Sequence, residues 1–150
     1  MLKIRVARNG DLEAVVRMMN GGASSQRIHW ENGETETYEP AFSAIQQCPN
    51  TDIYVGELAE EGPVATFQLT YIKGLAFSGK PRAQIESMHT RADMRGKGLG
   101  KEMLAQAVKL ARENGCCMVQ LTSNKERSDA HRFYSSNGFV PTHEGFKLIF

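Results

Sequence analysis

The stretch Arg95-Gly96-Lys97-Gly98-Leu99-Gly100 decides how this 150-residue chain is read. It stands between a run with strand character, residues 83–90, and the strongest helical pattern of the sequence, residues 98–114. In that pattern Leu99, Met103, Ala107, Leu110 and Ala111 make one apolar stripe, while Lys101, Glu102, Gln106, Lys109 and Arg112 point elsewhere. Glycines at alternating positions let a backbone approach a ligand closely and take turns that a Cβ would obstruct. At a helix start the first N–H groups have no intrahelical acceptor, and the helix dipole adds partial positive charge. Together these make an anion cradle suited to a pyrophosphate, with the full charges of Arg95, Lys97 and Lys101 beside it. The competing reading is a basic glycine turn that holds nothing. A Walker A loop is excluded, because Lys101 is followed by Glu102 where Ser or Thr is required. A dinucleotide fingerprint is excluded too, since the glycines fall at 96, 98 and 100 and the surrounding strands read as largely antiparallel.

Working outward, residues 2–6 alternate apolar and basic side chains, as in a strand with one buried face. Asp11 is placed to cap a helix carrying Leu12, Val15, Val16 and Met19, which Asn20-Gly21-Gly22 stops. Residues 23–37 show no period and read as an irregular segment. Pro40 suits the first turn of a short helix through Phe42 and Ile45. Strands follow at 52–58 and 63–71, joined by a turn at Glu60-Glu61-Gly62, and residues 73–82 read as a long hairpin loop. Beyond the central helix, Gly115 is a C-terminal stop and residues 116–121 read as a short buried strand. Ser128 or Asp129 then caps a helix bearing Ala130, Phe133 and Tyr134, closed by Gly138. The tail, at 139–140 and 146–150, reads as one or two last strands. No repeat or linker divides the chain, so a single domain over residues 1–150 is expected.

Composition sets the class. A hydrophobic fraction of 41% with 23% charged residues is the mix of a globular protein with a core. The formal net charge of +1 gives no support to a general nucleic-acid binder, and no apolar run is long enough for a membrane span. The N-terminus lacks the apolar centre of a signal peptide. Three cysteines, Cys48, Cys116 and Cys117, with no CxxC pair, fit reduced, buried thiols in the cytoplasm better than a disulfide framework or a zinc ribbon. The histidines His89, His131 and His143 lack metal-ligand spacing, and no metal is expected.

The segment 95–100 fits the Arg/Gln-x-x-Gly-x-Gly/Ala signature of the GNAT superfamily of acetyl-CoA-dependent N-acetyltransferases. Downstream, Phe133-Tyr134-Ser135-Ser136-Asn137-Gly138-Phe139 matches that family's second hallmark, an aromatic-Tyr-x-x-x-Gly-Phe sequence. The order of elements also resembles a GNAT domain over nearly the entire chain. The resemblance implies an α+β fold: a mixed, mostly antiparallel sheet with helices on both faces, whose fourth strand splays from the fifth. The pantetheine arm of acetyl-CoA would lie in that gap, pairing with backbone groups of Met88, His89 and Thr90. Its pyrophosphate would sit on amides of Arg95, Gly96, Lys97, Gly98, Leu99 and Gly100, with Lys101 adjacent.

The same resemblance implies direct acetyl transfer to a primary amine, with no acyl-enzyme. Tyr134 is the expected general acid for the departing thiolate, since a phenol with a pKa of about 10 keeps its proton at neutral pH. Glu86, inside the fourth strand, is the expected base toward the amine, and the Met88 amide the oxyanion donor. The family's frequent Asn seven residues before the Tyr is absent, that place being Arg127, and Asn124 is the candidate to take over its contacts to the cofactor. His143 is a further candidate base. Cys116 and Cys117 would face opposite sides of a strand among apolar neighbours, which favours packed, inert thiols.

The near-neutral total hides an asymmetry. Residues 31–61 hold eight acids and no Lys or Arg, whereas residues 91–112 hold six bases against two acids. The basic block coincides with the proposed phosphate cradle. The acidic block fits a cationic amine acceptor, a small molecule or a peptide amine, with Trp30 and Tyr38 as an apolar or cation–π wall; a solvated acidic loop is the alternative. A homodimer is a common assembly in that family. Two rival functions remain beside acetyl transfer: a non-catalytic CoA-binding regulatory module of the same fold, and a nucleic-acid-binding domain using the basic face.

Overall fold

In the computed structural model, which describes residues 1–150, the alternation at the N-terminus forms β1 (Lys3–Val6). It is followed by α1 (Leu12–Gly21), α2 (Glu39–Gln46), β2 (Thr51–Leu58), β3 (Gly62–Ile72), β4 (Arg82–Thr90), α3 (Leu99–Glu113), β5 (Val119–Gln120) and α4 (Ser128–Ser136). The irregular segment before α2 contains two short 3-10 turns, Ile28–Trp30 and Thr35–Tyr38. The chain forms two compact units: residues 1–120, with all five strands and α1 to α3, and residues 121–150, with α4. No helix is long and apolar enough to cross a membrane.

The sheet order is β1-β2-β3-β4-β5, antiparallel throughout except for the parallel β4–β5 pair. Its two faces are read from adjacent residues of β2. Val55 packs with Ala7, Leu12, Val15, Val16 and Phe42, so this face carries α1 and α2. Gly56 faces the other way, where a Cβ would come within 2.7 Å of Met103 Sδ of α3. Helices therefore cover both faces, as the resemblance implied. Met103, Ala107 and Ala111 of the expected α3 stripe are buried, joined by Leu104. In β3, Val64, Phe67 and Leu69 are fully buried, each contributing about 1.5–3 kcal/mol of burial free energy.

β4 carries one residue more than β3 over the same length. Gln68 pairs with Glu86 but Thr66 pairs with His89, and Ser87 takes a φ of +50° at this bulge. The extra residue resets the alternation. Glu86 and His89 thus lie on one face, with Gln68 and Thr66, and their partners Ile53 and Val55 on β2 place that face under α1 and α2.

Several sequence expectations are corrected. The strand expected over 116–121 shrinks to Val119–Gln120, because the Cys116 N–H is drawn to the Ala111 carbonyl and the Cys117 N–H to Pro81. The β4–β5 ladder pairs Ala83 with Val119 and Gln84 with Gln120 and goes no further along β4, in keeping with the implied splay. The thiols are not buried: Cys117 is exposed, and Cys48 and Cys116 are half-buried. Asp11 does stand at the cap position of α1, but its carboxylate turns back to the Arg8 N–H. α4 starts at Ser128 with Arg127 as its flanking residue, so neither expected cap acts as one. Finally, the last strands do not form. Residues 139–150 hold no helix or strand, and Val140, Phe146, Leu148, Ile149 and Phe150 are exposed. Apolar alternation supplies a strand with a face, but only a neighbouring backbone supplies its ladder.

Candidate active site

The glycine segment forms the turn that opens α3. Gly96 and Gly98 take φ values of +76° and +81°, a left-handed conformation that explains glycine at both places, since a Cβ would meet nothing there within 4 Å. Gly98 caps α3, its carbonyl accepting from the Lys101 and Glu102 N–H groups. The N–H groups of Gly96, Lys97, Gly98, Leu99 and Gly100 donate to no acceptor in the chain. Five successive free donors at a helix start form a positive surface suited to phosphate oxygens. Arg95, Lys97 and Lys101 are exposed beside it, the Arg95 guanidinium resting on the Thr90 carbonyl and the Lys97 ammonium near Met94 Sδ. Leu99 is buried with Val64 and Met94, which anchors the turn on the sheet.

β4 leads into this turn and brings the other expected groups of the first unit together. Glu86 is exposed, its carboxylate accepting a 3.1 Å hydrogen bond from the Gln68 amide. Met88 and Thr90 are half-buried and His89 is buried. Sequence reasoning missed both Gln68 and the bulge. A serine at positive φ leaves no signature, and the Gln68–Glu86 pairing depends on a register that only the bulge defines.

Asn124 and Tyr134 belong to the second unit. Asn124 Oδ1 accepts from the Glu126 N–H, and its backbone carbonyl meets His131 Nε2, so its side chain builds a local turn. Tyr134 is half-buried, with edge-on contacts to Phe133 and Phe139 at 5.2 and 5.8 Å. Burial raises the Tyr134 pKa and outweighs the opposing charge of Arg127, so the phenol is protonated at neutral pH. His143 is exposed and touches the Thr142 hydroxyl.

The charge blocks are partly internal. Of the acids in 31–61, Glu31 pairs with Arg27 and accepts from the Tyr38 hydroxyl, Glu57 pairs with Arg5 and Lys3, and Glu61 with Arg91. Glu34, Glu36, Glu39 and Glu60 are exposed and Asp52 half-buried, all outside any ion pair of the chain, and Trp30 is 67% exposed. In the basic block Arg91 is held by Glu61 and Asp93, and Lys109 by Glu113, which leaves Arg95, Lys97, Lys101 and Arg112.

Comparison with known proteins matches residues 23–139 to the acetyltransferase (GNAT) family. Among curated relatives, an aminoalkylphosphonate N-acetyltransferase from Salmonella typhimurium is 36% identical over 63 residues, 42% of this chain and 41% of that protein. The chain thus spans about two fifths of that relative's length. Streptothricin acetyltransferase A from Bacillus subtilis is 28% identical over 120 residues, 74% of this chain and 68% of that one. Among solved structures, a protein described as a transcriptional regulator from Bacillus halodurans C-125 is 37% identical over the full length of both chains, with a TM-score of 0.91. The match covers well over half of the chain and runs into both compact units, and the chain belongs to the acetyltransferase (GNAT) family.

Proposed function

We propose that residues 1–150 act as one N-acetyltransferase domain that moves the acetyl group of acetyl-CoA directly to a primary amine. The observation that carries this is the row of five unpaired N–H groups at 96–100, flanked by Arg95, Lys97 and Lys101, at the end of a fourth strand whose far half has no ladder partner on the β5 side. The row suits the diphosphate of CoA, and the backbone of β4 at Met88, His89 and Thr90, beyond the end of the β5 ladder, suits the amide-bearing pantetheine arm. In the reaction the amine nitrogen attacks the thioester carbon, a C–N bond forms and the C–S bond breaks. The amine's proton passes to Glu86, directly or through water, and the leaving thiolate takes a proton from Tyr134. The Met88 N–H supports the negative charge on the carbonyl oxygen. Asn124, through its amide nitrogen, is a further contact to the CoA portion. Free thiols in all three cysteines agree with a cytoplasmic location.

For the acceptor, the exposed Glu34, Glu36 and Glu39 with Trp30 favour a cationic amine. The names of two relatives, an aminoalkylphosphonate and a streptothricin acetyltransferase, favour a small molecule. A second reading, a CoA-binding module without turnover, draws on the Bacillus halodurans protein's description as a transcriptional regulator. An amine panel with acetyl-CoA, run on wild type and Tyr134→Phe, separates the two. Turnover that is highest with cationic amines and falls by about a hundredfold or more in the variant, at unchanged CoA affinity, supports the enzyme. CoA binding with no turnover on any amine supports the module, and better turnover of neutral or anionic amines removes the cationic acceptor.

A further inference from the structure

Gly22 closes α1 with a φ of −105°, a conformation open to any residue, so backbone freedom does not explain glycine here. Space does. A Cβ at this position would lie 2.2 Å from Nδ1 and 2.6 Å from Cε1 of His89, closer than atoms can approach. His89 is only 7% exposed, and its imidazole lies against the end of α1 at Gly22. It reaches that place only because of the bulge at Ser87. Without the extra residue His89 would point to the α3 face, away from Glu86.

The last turn of α1 in turn carries the segment that follows it. The Arg27 guanidinium donates to the Met19 carbonyl at 2.5 Å, and the Asn20 amide to the Asn32 carbonyl at 2.9 Å. Arg27 also pairs with Glu31, which accepts from the Tyr38 hydroxyl. A continuous set of contacts therefore joins β4, two residues past Ser87, to residues 27–38, the segment of Trp30 and the exposed acids.

We propose that His89 is a positioning residue for the acceptor amine: its ring sets the height of α1's end at Gly22, and thereby holds residues 27–32 at a fixed distance from Glu86 on the same strand. The proposal rests on the acetyl-transfer reading and adds to it the element that fixes the amine's side of the site. Gly22→Ala tests it, because the added methyl group meets the His89 ring and displaces the ring or the helix end, whereas only the backbone of His89 is assigned to the acetyl donor. The expected result is an amine KM raised about tenfold with kcat and acetyl-CoA affinity within about twofold, the pattern of lost acceptor binding. Amide hydrogen exchange at residues 20–32 should quicken in parallel. In a His89→Ala background the same methyl group has room, so adding it should change neither exchange nor melting temperature further. Wild-type amine KM or wild-type exchange in Gly22→Ala overturns the proposal. If Gly22→Ala does not fold, His89→Ala and the double variant carry the comparison: raised amine KM and faster exchange at 20–32 in both support it, and wild-type values in both overturn it. Failure of the acetyl-transfer reading looks different, as a folded wild type that turns over no amine at all.

Discussion

Arg5 organises the N-terminal end of the sheet. Its guanidinium donates to both carboxylate oxygens of Asp11, at 2.6 and 3.0 Å, and twice to Glu57 Oε2, at 2.6 and 3.0 Å. Asp11 is buried, so its charge is tolerable only with this partner and the Arg8 N–H. The hydrogen bond from Arg5, aided by the one from Arg8 and opposed by desolvation, lowers the Asp11 pKa below its ordinary value near 3.8. A carboxylate with a depressed pKa stabilises the fold above its unfolded value, and that stabilisation is lost as pH falls through the folded value. Asp11→Asn should therefore destabilise the protein at pH 7 by about 2 kcal/mol, less than a fully enclosed pair would lose because solvent reaches the edge of the cluster. In urea titrations its stability should also fall less steeply than wild type below pH 4. An unchanged acid limb would show that other carboxylates set it. The sequence exposes little at this scale. Arg5 is legible as one tooth of an alternating strand and Asp11 as a cap position, but their union across six residues depends on the turn between them.

At the scale of elements, legibility follows how local the determining interaction is. α3 was readable because its apolar stripe and its terminal glycines lie within the element itself, and the glycine turn was readable for the same reason. β5 and the tail were not. Their apolar runs look like strands, but ladder partners are remote in sequence, and the N–H groups of residues 116 and 117 donate to the end of α3 and to Pro81 instead. The bulge in β4 was invisible, although it decides which face Glu86 and His89 share. The turn permits a sharp test. Gly98 holds φ at +81° as the residue capping α3, so Gly98→Ala should impose about 1–2 kcal/mol of backbone strain on the one conformation that presents the N–H row. Calorimetry should show CoA binding weakened by about tenfold, as expected when the competent turn is only a minor population. Gly98→Asn should lose less, because asparagine tolerates the left-handed region. Equal losses in the two variants would indicate that side-chain bulk, and not backbone conformation, limits the site.

For the whole molecule, a formal charge of +1 conceals an acidic field at residues 31–61 and a basic one at 91–112. Pairing within the chain trims both: Glu31, Glu57 and Glu61 leave the acidic field, and Arg91 and Lys109 leave the basic one. Of what remains, Arg95, Lys97 and Lys101 stand around one turn at the start of α3 and Glu34, Glu36 and Glu39 around the start of α2, with Asp52, Glu60 and Arg112 outside both groups. Exposed charges act over about a Debye length, roughly 8–10 Å at physiological ionic strength, so the basic group is felt at the turn and hardly beyond it. Two measurements distinguish a cradle of this kind from a general polyanion surface. Raising the salt concentration from 50 to 500 mM should weaken CoA binding several-fold, because the side-chain charges are screened while the N–H row is not. Lys97→Ala should reduce that salt dependence without abolishing binding, since the uncharged donors remain. DNA or RNA affinity should stay weak at 150 mM salt in both proteins, because so few cations release few counterions from a nucleic-acid backbone. A CoA affinity indifferent to salt would assign the grip to the main chain alone. Nucleic-acid binding that is tight at low salt and collapses steeply would instead return the basic face to the rival reading.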